Sequence, residues 1–275
     1  MSDFLSDREA IFCEQAIREL TGQKWAASLL GTLDAKGGLT GKNKALLFEL
    51  RFAYALHRQG LAATYEIPGE GESKIDFGFS VAGASFRVEL MRLTETDAAK
   101  AATQTVIDKD GIPWSEKILE SSAGDPRQSE EGETLKAVER ICQKFERGGQ
   151  PHKFPLPSGS TQILLIDFRT FLDGGDVHDK VHIALGGEHV NTDWVRRFWK
   201  GKLISGVFSD RTSLRGAAEA RQRVHFLGFV CEKEYDADEF AHAIQFIANP
   251  HMYGSRSEKE AALGPWPLKP SNLVC

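Results

Sequence analysis

The chain lacks the features that would tie it to a membrane, a disulfide framework or bulk electrostatics. Its 275 residues contain no uninterrupted apolar run of about eighteen, the length that marks a membrane-spanning helix. The opening MSDFLSDREAIFCEQ is too charged for the apolar stretch of a signal peptide, so the expected compartment is the cytoplasm and no membrane partner is expected. Cysteine is scarce. Cys13, Cys142, Cys231 and Cys275 are scattered without paired metal-ligand spacing and read as reduced thiols. No internal repeat or low-complexity tract occurs. Net positive charge is also missing: the balance of −5 excludes a protein that coats nucleic acid by bulk attraction, so any such contact must come from a local patch.

One such patch is present. Arg196, Arg197, Lys200, Lys202, Arg211, Arg215, Arg221 and Arg223 stand against only Asp210 and Glu219, eight basic residues against two acidic, a local balance of +6. It reads either as a nucleic-acid surface or as an ordinary solvated one. A hydrophobic content of 41% is enough for a substantial core. Gly41-Lys42 falls short of a phosphate-binding loop, since Lys36 replaces the first glycine, Asn43 replaces the Ser/Thr and no strand precedes it.

Apolar spacing predicts a helix over 8–20 after an Asp7 cap, and a second over 43–59 stopped by Gly60. Strands are expected at 62–67, 73–81 and 84–93, the last two joined by Ala82-Gly83. An exposed acidic loop is expected at 121–132, a helix over 133–147 ending at Gly148-Gly149, and a strand buried on both faces at 161–168. Beyond these come an extended segment near 180–185, helices near 191–200, 213–222 and 237–248, and strands near 202–208 and 224–231. The tail after Asn249 reads as irregular, wrapping the core through Trp266. This alternation indicates a mixed sheet with covering helices. The expected organisation is an N-terminal helical segment (1–40), a core (41–170) and an α/β extension (171–275) packed on it within the same domain.

A two-residue turn at Ala82-Gly83 makes Val81 face Ala84 and, continuing outward, Asp76 face Glu89. Directly opposed side chains have Cβ atoms about 4.5–5.5 Å apart, where like charges destabilise. A divalent cation is the simplest compensation. On the preceding helix, positions 45, 48, 49, 52, 53 and 56 form one stripe that reads Ala, Phe, Glu, Phe, Ala, Leu, placing Glu49 on the buried face. Lys44, Arg51 and Arg58 recur on the other side, where solvent is expected. A carboxylate on an apolar face is costly unless paired or metal-bound; snorkelling to the helix edge or an arginine partner is the alternative.

In the order helical Glu49 (LLFELRF), strand Asp76 (SKIDFGFS) and hairpin-partner Glu89 (FRVELMRL), the chain resembles the PD-(D/E)XK, or restriction-endonuclease-like, nuclease superfamily, most clearly over residues 41–93. The resemblance implies an α/β fold with a restriction-endonuclease-like mixed β-sheet core of four strands flanked by helices, and a metal-dependent phosphodiesterase. Asp76, Glu89 and the Leu90 carbonyl would hold Mg²⁺ or Mn²⁺, and Glu49 would orient water or complete a second metal site. The partner is nucleic acid, DNA being favoured by the resemblance alone; a homodimer or protein partner is left open.

Met91 stands where the motif lysine belongs, and a thioether can neither orient water nor neutralise phosphorane charge. Two lysines are candidates to replace it. Lys74 falls opposite Met91 in the hairpin register, on the face of Asp76, although it could equally be a salt-bridge partner for Asp76 or Glu89; Lys136 lies on the later helix. Loss of activity, leaving a binder of nucleic acid or protein, is the alternative reading. A retaining glycosidase is a third class that two close carboxylates admit, but the buried third acid and the lack of aromatic sugar platforms argue against it. His178 and His182 read as ordinary histidines because H-x-x-x-H binds metal best on a helix and HDKVHIAL looks extended. Asp167, ending an apolar strand, is an accessory acid or a turn cap. Trp194 and Trp199 beside Arg196 and Arg197 read as core anchors or stacking platforms.

Overall fold

Ala82 and Gly83 both take positive φ, 49° and 79°, the two left-handed residues that a tight primed turn requires. They join β2 (Lys74–Val81) to β3 (Ala84–Arg92) with Val81 opposite Ala84 and Phe77 opposite Val88, the register expected from the sequence. The computed structural model describes residues 5–107, 111, 113–117, 129–171, 174–187, 200–235, 239–269 and 272–274. Within them the fold is mixed α/β. β1 (Thr64–Pro68) lies antiparallel to β2, and β3 runs parallel to β8 (Ser160–Asp167). β8 runs parallel to β9 (Phe226–Val230); β10 (Ile244–Ala248) is antiparallel to β9 and parallel to β11 (Asn272–Val274). The result is a seven-stranded mixed sheet in the order β1-β2-β3-β8-β9-β10-β11, larger than the four strands expected. Two small ribbons stand apart from it, β4 (Thr103–Ile107) with β5 (Pro113–Lys117), and β6 (Glu146–Arg147) with β7 (Gln150–Pro151).

Each face of the sheet buries its own core. On one side lie α1 (Asp7–Leu20), capped by Ser6 rather than Asp7, α2 (Ala27–Ala35) and α3 (Lys44–Arg58), packed on Phe77, Phe86, Val88 and Leu90. Trp266 is fully buried there among Phe52, Phe79, Phe86 and Phe246, so the tail does wrap the core through it. The other side carries α5 (Glu130–Cys142), α6 (Val177–Leu185) and α7 (Arg215–Arg223) over Leu164, Ile166, Leu227 and Phe229. β8, between the two cores, is buried from Gln162 to Asp167, in keeping with its continuous apolar run. α4 (Asp97–Ala101) follows β3. Among the described residues no helix is long and apolar enough to cross a membrane.

Several expectations are corrected. The segment expected to be extended near 180–185 is helix α6, because Asp176 and Asp179 close a capping box at its start and Ile183 and Ala184 bury one face. The helix expected over 237–248 is a short α8 (Glu239–His242) followed by strand β10, where pairing with β9 outweighs helical spacing. No strand forms at 202–208. From Ile204 to Phe208 the stretch is buried, but its N–H groups go to loop and helix-end acceptors such as Ile183 O, Ala184 O and Thr212 Oγ1. The tail contains a regular helix, α9 (Arg256–Leu263), with its own capping box. The helix expected to reach 147 ends at Cys142; Gly148 and Gly149, at φ 60° and 77°, turn the β6–β7 ribbon instead. The expected acidic loop falls at 121–128 outside the described residues, as does the helix expected near 191–200 apart from Lys200.

Candidate functional site

The β2–β3 ladder breaks at Asp76. Ile75 and Phe77 are two residues apart yet belong to different cores, so strand alternation is interrupted between them. The side chains take over the main-chain bonds: Leu90 N donates to Asp76 Oδ2 at 2.7 Å, and Asp76 N donates to Glu89 Oε2 at 3.3 Å. Two carboxylates are thereby held side by side at the opening of the hairpin. Glu89 is fully buried. Glu49 approaches from α3, where Tyr65 on β1 donates its hydroxyl to Glu49 Oε2 at 2.7 Å.

Glu49 acts on the hairpin pair through its charge, and they on it. Burial, then the charges of Glu89 and Glu49, hold Asp76 well above the usual carboxylate range. Burial and the charge of Glu89 push Glu49 up as well, partly offset by the Tyr65 hydrogen bond.

The cations opposing them are not the ones expected. Lys74 points to solvent and pairs with Glu66 at 2.5 Å rather than with Asp76 or Glu89, while Lys136 pairs with Glu139 on its own helix. Both candidates are therefore withdrawn from the site. Lys144 and Lys153 take the place instead, each with its Nζ 2.9 Å from Glu89 Oε1. Their pairing follows from the ribbon. The β6–β7 register matches Arg147 with Gln150 and Glu146 with Pro151, and His152 N donates to Phe145 O at 2.9 Å; one step further out, Lys144 faces Lys153. A hairpin that forces two lysines together thus meets a hairpin that forces two acids together. Lys144 also lies 3.5 Å from Leu90 O, and Lys153 donates to Lys74 O at 2.7 Å. Burial works against the charge of Lys144, but Glu89, Asp76 and Glu49 together keep its pKa raised. Met91 is half-buried against the helical core behind β3.

Reading Gly148-Gly149 as a tight-turn signal rather than a helix stop would have found both lysines from sequence. The donor set, three carboxylates and a main-chain carbonyl, is all hard oxygen and fits Mg²⁺ or Mn²⁺ chemically. Among the described residues, however, no three His, Cys, Asp or Glu side chains stand in metal-ligand geometry, and ammonium or main-chain N–H groups hold the Asp76 and Glu89 oxygens.

A second charged cluster lies beyond the end of β8. Arg51, expected at the surface, is fully buried and donates to Glu9 Oε1 at 2.8 Å and Glu232 Oε2 at 2.9 Å, with Asp167 at 3.7 Å. Lys44, also expected outside, is buried against Glu9 at 2.7 Å. The stripe expected on α3 was too narrow: α1 and α2 cover its far side, whereas Ala45 is exposed. Asp167 accepts two bonds from the Arg169 guanidinium and one from its N–H, so it anchors this network as well as capping its turn. No accessory role at the acid site follows for it.

Of the expected basic patch, Lys200, Lys202, Arg211 and Arg215 are exposed. Arg221 is committed to Asp210 and Ser209 O, and buried Arg223 to Glu70, Glu219 and Phe154 O. Arg196, Arg197, Trp194 and Trp199 lie outside the described residues. α7 packs on β6, with Arg215 beside Gly149, so the exposed basic residue at its start adjoins the ribbon whose root carries Lys144 and Lys153. His178 and His182 do share a helix, α6, but no third ligand groups with them among the described residues. Comparison with protein-family models, curated proteins and solved structures returned no match.

Proposed function

We propose that this chain is a cytoplasmic, metal-dependent phosphodiesterase of restriction-endonuclease-like architecture that cuts nucleic acid, DNA in the first instance. The observation that carries the reading is the pairing of Asp76 with Glu89 where β2 and β3 part, with Lys144 on Glu89 and Glu49 acting on Asp76 through its charge. Asp76, Glu89 and the Leu90 carbonyl would hold Mg²⁺ or Mn²⁺, with Glu49 completing the set. When bound, the ion polarises the scissile phosphate. Tyr65 fixes the orientation of Glu49, which would orient the attacking water. Lys144, touching both Glu89 and the Leu90 carbonyl, is placed to neutralise charge that builds on the phosphoryl oxygens. Exposed Arg215 and Arg211 would carry flanking phosphates towards the site.

The second reading, a fold that binds nucleic acid or a protein without cutting, is favoured by the two ammonium groups on one oxygen of Glu89. A cleavage assay in Mg²⁺ and Mn²⁺ on plasmid, single-stranded DNA and RNA separates the two. The wild type should cut at least one substrate, and Asp76→Asn, which keeps an oxygen for the Leu90 N–H, should lose at least about 10²-fold in rate. Equal rates for the two proteins would remove Asp76 from the chemistry; salt-sensitive binding with no turnover would select the second reading.

A further inference from the structure

The lysine pair raises a question that the phosphodiesterase reading leaves open, namely what balances the acids before an ion arrives. Three carboxylates in one largely buried place repel one another, and each needs a compensating partner in the metal-free chain. Among the described residues, the Asp76 carboxylate takes a hydrogen bond from the Leu90 N–H alone. Glu89, in contrast, receives two ammonium groups on the same oxygen, Oε1. A carboxylate oxygen so occupied is a poor ligand until one of the two leaves.

The two lysines differ in what they would lose by leaving. Lys144 contacts Glu89 and the Leu90 carbonyl, both of them proposed ion ligands. Lys153 has a second partner outside that set, since its Nζ donates to the Lys74 carbonyl at 2.7 Å. It can give up Glu89 and keep that bond. Its main chain stays fixed meanwhile, because Lys153 N donates to Ser73 Oγ and Lys153 O accepts from Glu70 N. The residue takes positive φ, 66°, in a position that the neighbouring loop determines.

We propose that Lys153 is a resident counter-cation of the acid site: it holds Glu89 in the metal-free chain, yields to a divalent ion while retaining the Lys74 carbonyl, and thereby sets the affinity of the site for that ion. The inference rests on the reading of Glu49, Asp76 and Glu89 as an ion-binding set. It assigns Lys153 a part in ion exchange, distinct from the part of Lys144 at the phosphate. A lysine that merely propped Glu89 in place would have the opposite effect on affinity, because its removal would loosen a ligand.

The test is calorimetric titration of Mn²⁺ into the full chain, with no substrate present, for the wild type, Lys153→Gln, Lys153→Met and Asp76→Asn. Gln keeps a donor for the Lys74 carbonyl and guards against a variant that fails to fold. Lys153→Gln should bind Mn²⁺ about tenfold more tightly than the wild type, equivalent to about 1.4 kcal/mol, and Lys153→Met should shift in the same direction. Asp76→Asn should bind it at least about tenfold more weakly. Unchanged or weaker binding by both Lys153 variants, with binding that still depends on Asp76, would overturn the counter-cation and leave the ion site standing. No binding by any of the four proteins would overturn both.

Discussion

In the proposed phosphodiesterase, replacing Lys144 by Met is expected to cut the rate of cleavage by about 10²- to 10³-fold, the effect of removing one preorganised charge from a transition state, while Lys74→Ala leaves the rate within about twofold. The contrast follows from the contacts. Lys144 sits on Glu89 and beside the Leu90 carbonyl, whereas Lys74 is spent on Glu66 at the surface. Met at 144 keeps the aliphatic stem and removes only the ammonium, so any loss reports charge rather than packing. The loss should fall on kcat more than on KM, because the group is placed for charge that exists only in the transition state. A Lys144 variant as active as the wild type would remove Lys144 from the proposed chemistry.

The largest effect on stability is expected at Arg51. Arg51→Met should cost about 3–5 kcal/mol in denaturant unfolding, the penalty for breaking a buried ion pair from one side. Arg51 is enclosed by Glu9, Asp167 and Glu232, with Phe48 and Tyr235 each 5.6 Å below its guanidinium, and these partners come from α1, the end of β8 and the chain after β9. Its loss leaves Glu9 with Lys44 and Arg169 and Asp167 with Arg169, and takes from Glu232 its arginine partner. Removing an acid as well, in Arg51→Met/Glu232→Met, should recover part of the loss, since a buried pair replaced by apolar side chains is often near neutral.

The pH dependence of this network has a definite sign for two of its members. Burial opposes ionisation of both Glu9 and Asp167, but the guanidinium groups of Arg169 and Arg51 hold both below the usual range. Their contribution is therefore complete above the unfolded carboxylate pKa of about 4 and is lost as the pH falls below it.

These two sites differ in how far the sequence reveals them. The acid pair was legible because a two-residue turn fixes a register, and register is a local property: Val81 facing Ala84 sets the pairing as far as Phe77 and Val88, and Asp76 and Glu89 stand at the next positions, where the ladder stops. The lysine pair obeys the same rule, but Gly148-Gly149 after a helical run resembles a helix stop as closely as it resembles a turn. Arg51 was beyond reach for a different reason. Its partners lie 42 and 181 residues away in the chain, so spacing within α3 shows a charge on the far side but not the α1 helix that covers it. Helix α6 was missed because its capping box, Asp176 with Asp179, was outweighed by the extended look of HDKVHIAL.

The convergence of the three acids has one further consequence, visible without substrate. Asp76 and Glu49 have folded-state pKa values raised by burial and by their neighbours. The folded metal-free chain therefore holds protons more tightly there than the unfolded chain does, and the stability this gives is complete at low pH and lost as the pH rises through the folded values. Thermal melting at pH 7.5 of the wild type and Asp76→Asn, with and without Mn²⁺, measures this directly. Without metal, Asp76→Asn should be the more stable by about 0.5–2 kcal/mol, the usual gain when a site built for function is relieved of its strain; with Mn²⁺ only the wild type should rise further. A metal-free Asp76→Asn protein that melts below the wild type, or that gains as much from Mn²⁺, would contradict the placing of Glu49, Asp76 and Glu89 around one cation.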